Sequence, residues 1–217
     1  QAGIRGKCKF LPTFPVPVGY STFANNCSPS NTPVSALLGS VPAGTVIYKW
    51  TGTGYRMHVN DLAGVGRWDP EEPNIALGEG FIIYNPSDEE LMVPACDSLP
   101  PPPPQPRWAA GSYLVGARSP QPATFDEALG FATQLGDQVV HFDTSVPRLT
   151  NFSSTNTFGA NGWDIEPVIG VVEAVWVWLW PLDTTRPTLV TAYACYNDVI
   201  VPVFSECVNL ATTLESF

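Results

Sequence analysis

The chain has 217 residues, of which 44% are hydrophobic and only 14% charged, and its net charge is −10 with three lysines. That balance is the reverse of a disordered chain and leaves enough apolar material for a core. It also argues against nucleic acid or an anionic membrane surface as a partner. Twenty-three prolines and 18 glycines disfavour long helices and predict short strands joined by turns, an all-β fold.

Residues 1–18 read as an extended N-terminal arm, because Pro12, Pro15 and Pro17 forbid a helix and disfavour a central strand. The start Gln1-Ala2-Gly3 suits a mature chain from which a signal peptide has been removed. A first β module is expected over 19–99. It holds a strand at 19–23, one helical turn at 33–39, and a hairpin of 44–50 with 55–60 around the turn TGTG. Trp68-Asp69-Pro70 falls in a loop, and strands follow at 81–84 and 91–95. Residues 100–106 contain five consecutive prolines. They predict a polyproline II linker of about 3.1 Å per residue, roughly 20 Å in all.

A second β module is expected over 107–187, and it repeats the landmarks of the first. Gly136 to Phe142 matches Gly44 to Trp50, Trp163-Asp164 matches Trp68-Asp69, Glu173 matches Glu79, and Pro181 matches Pro86. This many landmarks in register mark a duplication. The box Thr124-x-x-Glu127 opens a short helix expected to run to about Thr133. Residues 188–217 form a C-terminal β arm, with Asn197-Asp198 as a hairpin turn and Pro202 marking an edge strand or one paired with another chain. Both modules are expected to be sandwich-like or barrel-like.

The most apolar stretch is EPVIGVVEAVWVWLWP, residues 166–181. Alternation places Trp176, Trp178 and Trp180 on one face of a strand and Val175, Val177 and Leu179 on the other. Its counterpart in the first copy, EPNIALGEGFIIYNP, keeps a more polar face. The Trp row reads as core or inter-module seam, as a subunit interface, or as a stacking platform for sugars. Its Val and Leu neighbours disfavour the last. The longest apolar run, 168–182, contains Glu173 and is too short for a transmembrane helix.

None of the five cysteines forms a C-x-x-C pair, and with only two histidines no zinc motif arises. In a secreted chain, Cys8–Cys27 and Cys195–Cys207 are the pairings within local reach, leaving Cys96 over. Buried free thiols, or a bridge to another subunit, are the alternatives. Glu79 and Glu173, each before an apolar strand, read as structural carboxylates that accept backbone N–H bonds at a tight turn. The acidic groups Asp69/Glu71/Glu72 and Asp88/Glu89/Glu90 lack calcium-loop spacing and read as solvated turns. No catalytic constellation and no cofactor motif is recognisable, which points away from an enzyme.

The first copy carries the landmarks Val46, Tyr48, Trp50, Trp68, Gly78, Glu79, Gly80, Phe81, Asn85 and Pro86. In these it resembles an uncharacterised β-rich repeat module of secreted and cell-surface bacterial proteins of planctomycete and verrucomicrobial type, in which a strand ending in Trp is followed by G-E-G-F-x-x-x-N-P. The second copy departs from it, with Val172-Glu173-Ala174-Val175 in place of G-E-G-F and Leu179-Trp180-Pro181 in place of Tyr-Asn-Pro. The resemblance spans about 19–86 and 111–181. It implies an extracellular address and a compact β fold, and it brings no catalytic residues.

The expectation from sequence is a secreted structural protein that self-assembles into a filament or surface layer. The interface residues would be Trp176, Trp178 and Trp180 together with Val199, Val201, Val203 and Phe204 of the apolar C-terminal run, which could complete a neighbour's sheet. The alternative is an adhesin or polysaccharide-binding protein using Trp50 or Trp68 on surface glycans.

Overall fold

A computed structural model describes residues 13–26, 31–61, 67–94, 106–118, 121–142, 152–159, 162–181, 189–195 and 199–204, the last two segments and 152–154 by their backbone alone. The chain is all-β. In the first copy the order is β1 (Thr13–Val16), β2 (Gly19–Ala24), β3 (Thr32–Pro33), α1 (Val34–Leu38), β4 (Val46–Trp50), β5 (Tyr55–Asn60), β6 (Trp68–Asp69), β7 (Asn74–Ile75), β8 (Gly80–Asn85) and β9 (Leu91–Pro94). In the second it is β10 (Gly111–Gly116), β11 (Ala123–Thr124), α2 (Phe125–Leu129), β12 (Gln138–Phe142), β13 (Phe152–Gly159), β14 (Gly162–Trp163), β15 (Val168–Ile169) and β16 (Ala174–Leu179). A hairpin of β17 (Leu189–Cys195) and β18 (Val199–Phe204) follows.

The two copies share one topology. The strands of the first sheet run β2-β8-β4-β5-β6 and those of the second β10-β16-β12-β13-β14, all pairs antiparallel. A two-stranded sheet, β3-β7 or β11-β15, and a five-residue helix accompany each. Period-two alternation gives each sheet a core face. Phe23, Ile47, Phe81 and Ile83 pack under Val34, Leu38 and Ile75 in the first copy. Val139, Val175, Val177 and Leu179 pack under Phe125, Leu129 and Ile169 in the second.

The other faces of the two sheets meet each other. Ala24, Ile82, Leu114, Phe142 and Ala174 are buried together between β2 and β8 on one side and β10 and β16 on the other, flanked by Tyr20, Tyr48, Trp50 and Trp176. The backbone bonds that close this seam are reciprocal. Ala24 N–H donates to the Val172 carbonyl at 2.9 Å, and its register equivalent Gly116 donates to the carbonyl of Gly78, the equivalent of Val172, at 3.0 Å. A surface in which a contact from i to j in one direction returns between their equivalents in the other is the mark of a two-fold relation, and residues near the axis meet their own equivalents. Two further pairs obey it: Gly116 lies against Ala24, and Gly80 against Ala174. A methyl on Gly116 would overlap the Ala24 methyl and the Glu173 carbonyl, and one on Gly80 would sit 2.7 Å from the Ala174 methyl.

Several expectations are corrected. The helix opened by Thr124 stops at Leu129, because Gly130 turns left-handed (φ 78°) and its N–H closes on the Asp126 carbonyl at 2.8 Å. The Asp126 side chain then holds Thr133 by its backbone N–H at 3.0 Å, outside the helix. The helical turn expected at 33–39 in the first copy is present as α1, of the same length as α2. Trp68-Asp69 is a strand paired with β5, followed by a cis Asp69–Pro70 bond, and Trp68 is buried in the first core. The last residues of the expected N-terminal arm, Thr13–Val16, pair with β9, and Val16 is buried. The second face of β8 is not wet: Ile82 is buried in the seam and Tyr84 is half-buried.

Candidate binding surface at the seam

The seam face of β4, β5 and β16 brings a continuous set of aromatic rings to one edge of the interface. Tyr84 contacts Tyr20 (centroids 4.8 Å apart), Tyr20 contacts Tyr48 (6.2 Å), and Tyr48 contacts Tyr55 (6.4 Å). Tyr55 lies 5.2 Å from Trp50, and Trp50 lies edge-on to Trp176 at 4.7 Å, which bridges the two copies. Trp178 stacks on Trp176 at 6.0 Å and 17°. Burial, followed by the hydrogen bond and the charge of Tyr20, raises the Tyr48 hydroxyl to about 12, so it stays a neutral donor in water.

Of the predicted Trp row, only Trp176 enters the seam. Trp178 is 36% exposed and Trp180 is 55% exposed. Trp180 lies just past β16, where its N–H donates to Asp137 Oδ1 (3.2 Å) and its carbonyl accepts from Arg107 (3.2 Å). Asp137 is fully buried and also receives a two-pronged bond from Arg107 (2.6 and 2.7 Å) and the Gln134 N–H (2.9 Å). Every carboxylate lone pair is thus spent on positioning the chain.

Glu79 and Glu173 occupy equivalent sites and do the same work. Oε2 of Glu79 accepts the Ala76 N–H (2.8 Å), and Oε2 of Glu173 accepts the Gly170 N–H (2.7 Å). Oε1 of Glu79 pairs with Lys49 at 3.0 Å, and Oε1 of Glu173 meets His141 at 2.8 Å. Burial alone would raise the Glu173 carboxyl. The His141 and Gly170 bonds outweigh it and hold the group below its ordinary value.

Two hollows open on either side of Trp50. One, of about 610 Å³, is lined by Trp50, Leu77, Trp108, Tyr113 and Leu114 among others, and draws on both copies. The other, of about 520 Å³, is lined by Lys49, Trp50, Arg56, His58, Glu71 and Asn74 among others. Trp50, Thr51 and Glu79 line both. The register Lys49↔Arg56 sets these two cations side by side, and Arg56 pairs with Glu71 at 2.9 Å. His58 is buried, with Nδ1 2.8 Å from the Glu71 carbonyl and no partner at Nε2. Of the acidic groups read as turns, Glu71 is thus tied to Arg56, and Glu72 accepts the Ser35 N–H at 2.8 Å.

Trp68 faces the first core and offers no stacking surface. Val199, Val201, Val203 and Phe204 lie on β18, opposite Cys195, Tyr193, Thr191 and Leu189 of β17, so this run is paired with the preceding strand as the hairpin expected from the sequence. Cys8, Cys27, Cys96 and Cys207 fall outside the described residues, and Cys195 is described by its backbone as the last residue of β17. Trp108, Arg56 and Tyr113 were not singled out in the sequence. The one available signal was the alternation of β5, which places Arg56 on the face of His58.

Comparison of the chain with family models, with curated proteins and with solved structures returns no match. Among the described residues no helix is long and apolar enough to cross a membrane, which leaves membrane β-barrels unaddressed.

Proposed function

We propose that the chain is an extracellular structural subunit that associates with copies of itself. The observation that carries this reading is the exposed apolar patch at the open edge of the seam. There Tyr55 (43% exposed) and Met57 (52%) stand on β5, Trp178 on β16 and Trp180 just past it, and the rings of Tyr55 and Trp178 both contact Trp176. Large contiguous apolar patches mark interaction surfaces, and aromatic residues and Met are enriched in them. The β17–β18 hairpin adds to this. It is a sheet of two strands only, each with one unpaired edge among the described residues, and such an edge can extend a neighbour's sheet. Light scattering after size exclusion, at about 100 μM protein, should show mass above one chain, because association follows mass action. Trp178→Ser with Trp180→Ser should return the protein to a single chain. A wild-type protein that stays monomeric at that concentration overturns the reading.

A further inference from the structure

The two hollows beside Trp50 differ in chemistry in a way that selects a ligand. Their volumes, about 610 and 520 Å³, fall in the range of ligand sites, roughly 300–1,000 Å³. The first is lined by the half-buried aromatic side chains of Trp50, Trp108 and Tyr113. The second presents polar groups held in place by one another: Lys49 by Glu79 at 3.0 Å, and Arg56 by Glu71 at 2.9 Å. With Glu72 these two cations face three carboxylates, so the surface offers many donors and acceptors without a positive field that attracts an anion. With a chain charge of −10, an anionic ligand is further disfavoured.

Aromatic side chains beside a dense set of hydrogen-bonding groups suit a molecule with the same two-sided character. A sugar unit has it: C–H faces that stack on aromatic rings, and hydroxyls around its rim that bond to carboxylate, guanidinium and ammonium groups. Trp50 is placed to be shared, because it lines both hollows and its Nε1 is already fixed on the Ser112 carbonyl at 2.8 Å. Fixing the ring before binding removes part of the ordering cost.

We propose that the cleft formed by these two hollows binds a neutral oligosaccharide or polysaccharide chain, with Trp50 beneath the middle of the bound segment. This site is distinct from the Trp178–Trp180 patch and does not depend on self-association.

The test uses the full chain, wild type and Trp178→Ser/Trp180→Ser in parallel, so that loss of assembly and loss of binding are read separately. The probes are cellohexaose, mannohexaose, chitohexaose and the anionic hexagalacturonate, followed by calorimetry and by protection of tryptophan fluorescence from acrylamide. At least one neutral hexasaccharide should bind both proteins and shield the fluorescence, while hexagalacturonate should not. Arg56→Ala with Glu71→Ala removes an exposed pair with little effect on folding and should weaken that binding about tenfold. The proposal is overturned if no neutral probe binds at about 5 mM, where even weak sites fill. It is equally overturned if the Arg56/Glu71 variant, with an unchanged melting temperature, binds as the wild type does.

Discussion

The two copies answer the same structural questions with different residues. Where the first sheet begins, Thr45 is buried and its hydroxyl donates to the Pro42 carbonyl at 2.8 Å. The equivalent Asp137 is buried too, but it carries a charge and needs Arg107 to neutralise it. Beneath the turn before β8 and β16 the first copy pairs its glutamate with Lys49, the second with His141. At the turn itself the first uses Gly78 at φ 78°, the second Val172 at φ 57°, a backbone region that a β-branched residue rarely occupies. Val172 is held there by the bond from Ala24 and by packing on the first copy's core. The lesson is that the backbone plan demands a filled turn and a neutralised carboxylate. The plan leaves the residue to local circumstance, and each substitution carries its own dependence on neighbours or pH.

Exchanging the solutions tests this, and the largest effect is expected at Asp137. Asp137→Thr, which imports the first copy's residue, leaves the Arg107 guanidinium 10% exposed and unpaired and should cost about 3 kcal/mol or more in urea unfolding. Arg107→Leu in the same chain should return a large part of it. If Asp137→Thr is as stable as wild type, the ion pair is ornamental and the two turns are interchangeable. A smaller loss is expected at the seam. Gly80→Ala presses a methyl against Ala174 and the Leu114 backbone and should cost roughly 1–3 kcal/mol. Ala174→Gly should relieve part of that loss when combined with it. Simple additivity of the two changes in chemical denaturation would contradict direct contact.

The smallest effect concerns pH. The folded Glu173 carboxyl lies below its ordinary value of 4.5, so its stabilisation is complete above pH 4.5 and is lost as pH falls through the folded value. Glu173→Gln should cost under about 1 kcal/mol at neutral pH and flatten the acid limb of a melting-temperature profile. An acid limb identical to wild type would remove Glu173 from the account.

Much of the plan was legible in the chain. The landmarks from Gly44 to Pro86 return from Gly136 to Pro181 because identical sheet orders require turns and apolar strands at the same spacings. The alternation of Val175, Val177 and Leu179 with the Trp row fixed which face of β16 meets its own core. Thr124 and Glu127 announced the start of α2, since both partners of that contact lie within four residues. The end of α2 was legible too, since Gly130 is the residue type that most often closes a helix in the left-handed conformation, but the apolar residues beyond it, Phe131 and Ala132, suggest continuation. The seam was open among the readings because alternation shows that a second face is apolar and does not show what covers it. The cleft was less legible still. Lys49, Arg56 and Glu71 come together only through the pairing of β4 with β5 and the path of the chain beyond β6. Arg107 and Asp137 lie 30 residues apart, and no local pattern links them.

The seam's small residues have a consequence for partner choice. At each of the two self-facing positions one copy supplies Gly and the other Ala: Gly116 against Ala24, and Gly80 against Ala174. Were the first copy to meet another first copy in the same way, Ala24 would face Ala24. Were the second to meet a second, Ala174 would face Ala174. Either like-with-like union sets two methyls where there is room for one, while the union of unlike halves is free of collision at both places. Two carbon atoms, distributed one to each half, therefore sort the halves.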